Sequence, residues 1–143
     1  MDLLTSMKIS ASALKAQRTR LGTIGTNIAN IETTRTPEGG PFRKREVVFE
    51  SQSKGFADHL AASQRRAAAG VEVAQIRLDN RPPKMVYNPG HPDADAQGQV
   101  AMPNVELMEE IADMMSANRA YESNVTVIKS AKRMALKALE IGQ

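Results

Sequence analysis

The stretch NVELMEEIADMMSANRAYESNVTVIKSAKRMALKALE, residues 104–140, decides how this chain folds. It contains no Pro and no Gly, and it is rich in Ala, Leu, Met, Glu, Lys and Arg, all good helix formers. Asn104 stands at its start as a favoured N-cap, with Pro103 just outside it. Glu106, Glu109, Glu110 and Asp113 occupy the first turns, and Lys129, Lys132, Arg133 and Lys137 the last. Both biases complement the helix macrodipole. The reading is a single helix of roughly 35 residues, about 50 Å long at the usual rise per residue. Leu107, Met114, Tyr121, Ile128 and Ala135 fall seven apart, and Ile111, Val125 and Leu139 fill a second line. A narrow apolar stripe of this period must be buried against another helix. Few small domains use one helix this long, whereas a coiled coil or a tubular assembly does.

The other end of the chain is written in the same code. Met7, Leu14, Leu21 and Ile28 are also seven apart, within a Pro-free stretch from about Asp2 to Ile31 that reads as a helix. Gly22 and Gly25 are its weak points, each costing roughly 1 kcal/mol relative to Ala. They mark a bend, a close approach of another backbone, or positions where Gly is simply tolerated. Thr33, Thr34 and the Thr36-Pro37 step end the helix.

The region between is different. Pro37-Glu38-Gly39-Gly40-Pro41 is a joint, and Val47-Val48-Phe49 within 42–49 predicts a short strand. Its Arg43-Lys44-Arg45 run suits a phosphate or an acidic partner, but such a run is more often a solvated edge. Residues 51–70 are polar and Ala-rich, either a short helix from Asp58 to Ala69 or a mobile loop. Val71 to Leu78 changes the phase of its apolar residues midway, which predicts a bulged strand or one buried on both faces. Lys84 to Tyr87 predicts a third strand, between Pro82-Pro83 and the turn cluster Asn88-Pro89-Gly90-His91-Pro92.

The chain of 143 residues carries a net charge of +3, no Cys and no Trp, three Phe, two Tyr and eight Met. Small and flexible apolar residues suit helix packing better than a ring-lined pocket. The charge is too mild to imply nucleic acid, and no aromatics are interleaved with the basic runs for base stacking. Charged residues from Asp2 to Arg20 interrupt any signal-peptide core, and no stretch reads as a membrane span. Asp93-Ala94-Asp95-Ala96-Gln97-Gly98 begins like a calcium loop, but Asn104 stands where the bidentate carboxylate belongs. His59 and His91 have no nearby His or Cys to complete a metal or catalytic site. No catalytic motif is present, so the expectation is assembly rather than catalysis, without metal or cofactor.

Polar residues interrupt the stripes. Asn118 and Lys132 fall on the second line of the C-terminal helix, where a polar residue either fixes register and partner choice or faces water. Asn27 and Asn30 flank Ile28 near the end of the first helix, placed to cap its last carbonyls or to bond a neighbouring chain.

Thr26-Asn27-Ile28-Ala29-Asn30-Ile31-Glu32-Thr33-Thr34 resembles the S-N-I-A-N-x-x-T motif near the N-terminus of bacterial flagellar axial proteins, with Thr26 where Ser is common. Within these, the chain is most similar to the proximal-rod family. The resemblance rests on Thr34-Arg35-Thr36, Gly39 to Phe49, Tyr87 to Asp95, Val100 to Val105, Asn118 to Val125 and Lys137 to Gly142. It implies a structural subunit of the rod that crosses the periplasm, exported by the flagellar type III apparatus without a cleaved signal. Implied partners are copies of the chain, other rod subunits, and basal-body and export-gate proteins. The implied architecture is mainly α: residues 1–33 and 103–143 pair as a coiled-coil-like inner unit, and 34–102 form a small β-rich middle segment. The expected assembly interface comprises Met7, Leu14, Leu21, Asn27, Ile28, Asn30, Leu107, Ile111, Met114, Asn118, Tyr121, Val125, Ile128 and Leu139. Competing readings are another axial subunit, or a soluble coiled-coil adaptor or export chaperone.

Overall fold

The computed structural model describes residues 3–52 and 69–141. The segment 53–68, which includes the Asp58–Ala69 helix expectation and His59, lies outside the described residues but for Ala69. Two long helices frame the chain, α1 (Leu3–Ala29) and α2 (Leu107–Ile141), and four short strands lie between them. These are β1 (Arg45–Ser51), β2 (Val71–Leu78), β3 (Lys84–Tyr87) and β4 (Gln99–Met102). They form two separate antiparallel pairs, β1–β2 and β3–β4.

The phase change in the β2 sequence is a bulge. Val48 pairs with Gln75 and Phe49 with Val73, so Ala74 is the extra residue. The β3–β4 hairpin pairs Lys84 with Met102 and Tyr87 with Gln99, and it packs on no other helix or strand among the described residues. Gly98 closes its loop at φ 75°, where a side chain would be strained and a Cβ would stand 3.0 Å from the Tyr87 ring.

Helix α2 packs on α1 and on no other described element. The helices are antiparallel: Asn27, near the end of α1, meets Glu110 in the first turn of α2, and Arg20 reaches Asp113. The line of α2 that is buried differs by one residue from the expected second seam. Glu110, Ala117 and Ala131 are buried, with Asn124 of the same heptad line half-buried, while Ile111, Asn118, Lys132 and Leu139 are exposed. The companion line Met114, Tyr121, Ile128 and Ala135 is half-buried, as expected of a seam, and Val125 is half-buried too. On α1 the buried residues are Ser10, Ala16, Thr23, Ile24 and Asn27, and the stripe Met7, Leu14, Leu21, Ile28 lies on their flank, half-covered. Small side chains let the two helix axes approach closely, so the pair selects Ala and Ser rather than the bulkier neighbouring line. Ala117→Leu should therefore overpack the pair and cost about 1–3 kcal/mol, read by thermal denaturation; an unchanged melting temperature would contradict this packing.

One boundary differs from expectation. Helix α2 begins at Leu107, and its first backbone bond runs from the Glu110 N–H to the Glu106 carbonyl, so Glu106 and not Asn104 holds the cap position. Buried Pro103 and Val105 keep the chain extended up to that point. Gly22 and Gly25 sit in uninterrupted helix, and a Cβ on either would meet nothing within 4 Å. Neither the bend nor the close approach is found among the described residues; the glycines are tolerated. The close approach lies elsewhere, at Gly70, where a Cβ would fall 2.7 Å from the Ser12 hydroxyl of α1.

Candidate assembly site

Three distant parts of the sequence meet at one buried polar cluster. Asn27 from α1, Lys44 just before β1 and Glu110 from the first turn of α2 are 1%, 6% and 1% exposed. Lys44 Nζ lies 2.8 Å from Glu110 Oε1 and 3.2 Å from Glu109 Oε2. Asn27 Nδ2 donates to Glu110 Oε2 at 3.0 Å and to the Arg45 carbonyl at 2.9 Å, and Asn27 Oδ1 accepts the Arg45 N–H at 2.9 Å. One primary amide therefore satisfies the backbone of the first β1 residue and the carboxylate of α2 together. Burial by itself depresses the Lys44 ammonium pKa. The hydrogen bonds and charges of Glu110 and then Glu109 outweigh it, so Lys44 ends above the usual lysine value.

The middle of the Arg43-Lys44-Arg45 run is thus not a solvated edge. Lys44 is buried because two carboxylates of α2 await it, a partner that lies 65 residues away along the chain. Arg43 bonds the Asp79 carbonyl, and Arg45 stacks over the buried Phe42 ring at 5.7 Å from its centroid. Asn30 serves its own helix end: its Nδ2 donates to the Thr26 carbonyl and its Oδ1 accepts from the Thr33 hydroxyl. Asn27, by contrast, spends its side-chain hydrogen bonds on β1 and α2, far along the chain.

In the 88–98 loop, the acidic groups are engaged by the chain itself. Asp95 Oδ1 accepts the N–H groups of Gln97 and Gln99, both at 2.8 Å, and Asp93 Oδ2 accepts from the Thr34 hydroxyl. His91 Nδ1 accepts the Asp93 N–H. The Thr34 bond ties the hairpin loop to the segment following α1, and the Asp95 bonds form an Asx-type turn.

The outward surface of α2 is apolar along much of its length. Leu107, Met108, Ile111 and Met115 are exposed near its start, and Val127, Met134, Leu136 and Leu139 further on, with Met108 at 72% and Leu139 at 70%. The expected interface residues therefore divide. Met114, Tyr121, Val125 and Ile128, like the α1 stripe, are half-covered within the chain, while Leu107, Ile111, Asn118 and Leu139 remain open. Sequence reading did not single out Met108 or Met115, and it took Glu110 only as a complement to the helix dipole; the row Glu110, Ala117, Asn124, Ala131, seven apart, was the available signal for its burial. No described helix is long and apolar enough to cross a membrane.

A helix pair made from both ends of one chain, joined through two short strand pairs and leaving apolar side chains exposed, defines a mainly helical structural protein, and comparison places it among the rod proteins of the flagellar basal body. Residues 7–35 match the family described as flagella basal body rod protein, and residues 96–141 match the flagellar basal body rod FlgEFG protein C-terminal family. Across its full length the chain is 44% identical to the flagellar basal-body rod protein FlgC of Borreliella burgdorferi, covering 99% of that protein. It is 41% identical to FlgC of Salmonella typhimurium with both chains fully covered, and 40% identical to FlgC of Bacillus subtilis over 96% of this chain and 97% of the relative. The chain belongs to the FlgC family of flagellar basal-body rod proteins, structural and non-enzymatic subunits of the proximal rod.

Proposed function

We propose that this subunit builds the rod by packing its paired terminal helices against those of neighbouring subunits, copies of itself and other rod proteins. The observation that carries this reading is the outer face of α2. A helix of 35 residues packs on α1 alone among the described elements and leaves Leu107, Met108, Ile111 and Met115 in water. An apolar surface of this kind marks an interaction site. Residues 1–33 and 103–143 form the inner helical part, and 34–102 form the outer part. Many side-by-side helices joined by a non-closing interface resist torque as the rod turns. The interface comprises Met7, Leu14, Leu21, Ile28, Leu107, Ile111, Met114, Asn118, Tyr121, Val125, Ile128 and Leu139, flanked by Asn30, with Asn27 supporting it from inside the chain. The chain reaches the periplasm through the flagellar type III apparatus, meeting the export gate and other basal-body proteins on the way.

Deleting the gene and scoring motility and basal bodies by electron microscopy tests the reading. Non-motile cells lacking complete rods are expected, and normal flagella would sink it. Leu21→Asp and Ile128→Asp, each placing a charge on a half-buried seam, should likewise abolish assembly; swimming cells carrying either would argue against the helix-packing model.

A further inference from the structure

We propose that Asn27 and Ser12 are a pair of positioning residues that hold the β1–β2 sheet at one fixed angle along α1, and that Glu110 makes the Asn27 attachment dependent on α2. Both side chains bond the backbone of the sheet, and they do so at its opposite ends. At one end Asn27 takes both the N–H and the carbonyl of Arg45, the first residue of β1. Its amide acts there as one more peptide group along the free edge of the strand. At the other end the Ser12 hydroxyl accepts the Val71 N–H at 3.1 Å while donating to the Ile9 carbonyl at 2.7 Å. Val71 is the partner of Ser51, the last residue of β1.

The spans agree. Ser12 to Asn27 covers about 22 Å of helix, and Arg45 to Ser51 about 20 Å of strand. The sheet therefore lies lengthwise on α1, running the opposite way, and is held at both ends. Gly70 permits the Ser12 contact, since a Cβ there would collide with the hydroxyl. Both strands also pack on α1, and the two hydrogen-bonded attachments about 20 Å apart add direction to that packing.

The chemistry at position 27 is restrictive. The amide nitrogen has two hydrogens, and both are used, one on Arg45 and one on Glu110. Asp could not donate either bond and would face the Glu110 carboxylate. Ser is too short to bridge both partners. Without α2 in place the second hydrogen would turn to water, so the bridge from Arg45 through Asn27 to Glu110 is complete only in the paired-helix state. Helix pairing and sheet attachment meet in this one amide.

The chain lacks Cys, so two introduced cysteines label it uniquely. Gln75→Cys on β2 and Ser130→Cys on α2, both exposed positions, would carry spin labels in the full-length chain for pulsed distance measurement. The parent should give a single narrow distance. Asn27→Leu should keep its helix content by circular dichroism yet lose that narrow distance, and Ser12→Ala should broaden it. Glu110→Gln, which retains an acceptor for Asn27, should stay narrow. A narrow distance in folded Asn27→Leu and Ser12→Ala overturns the proposal. Should Asn27→Leu not fold, hydrogen exchange at the Arg45 amide in Asn27→Ser gives the second reading: protection in the parent and its loss in the variant are expected. Equal exchange in the two would refute the attachment.

Discussion

Lys44→Met should destabilise the chain by about 3–5 kcal/mol, the loss typical when one partner of a buried ion pair is removed and the other charge stays buried. Glu110 is 1% exposed, and its Oε1 faces only Lys44 among the described charged groups. Urea denaturation followed by circular dichroism would read the change, and the double variant Lys44→Met/Glu110→Leu should recover most of it, because two apolar groups leave no orphan charge. A single variant as stable as the parent would show that the cluster is open to water. The pH dependence follows from the raised Lys44 pKa. A lysine held above its ordinary 10.5 contributes its full stabilisation below that value and loses it as pH rises through the folded-state value. The gap between parent and Lys44→Met should therefore be constant through the neutral range and shrink at alkaline pH beyond 10.5.

Met108→Asp combined with Met115→Asp should abolish swimming while leaving the isolated subunit's stability within about 1 kcal/mol. Both side chains lie on the exposed outer face of α2, so the chain itself loses little packing when they change. In a rod, by contrast, each carboxylate would be buried against a neighbouring helix without a partner. The measurement pairs a motility assay with thermal denaturation of the purified protein. Motile cells would move the interface to another face of the helix. An unfolded variant would mean that this face is covered within the chain.

These two predictions draw on opposite kinds of information. The helix that carries the exposed positions follows from local properties, although which of its faces stays open does not. Helix α2 was legible from its Pro-free run, its formers and its charge gradient, all of which act within a few turns. The Ala74 bulge was legible for the same reason, since a change of alternation phase is a local pattern. The heptad stripes identified two helices in need of partners, and those helices pair antiparallel in the structure.

The cluster was not legible because its members are separated by 17 and 66 residues, and each has an ordinary local explanation. Asn27 reads as a helix-end residue, Lys44 as part of a basic run, and Glu110 as a carboxylate suited to a helix N-terminus. Which line of α2 turns inward was equally hidden. The lines beginning at Glu110 and Ile111 share one period, and hydrophobicity alone favours the second. Local propensity and periodicity thus established the elements, their lengths and their need for company. The facing surfaces were settled by contact across the fold: close approach of two axes favours Ala117 and Ala131 over Ile111 and Leu139, and a buried carboxylate is tolerable only where Lys44 and Asn27 converge on it.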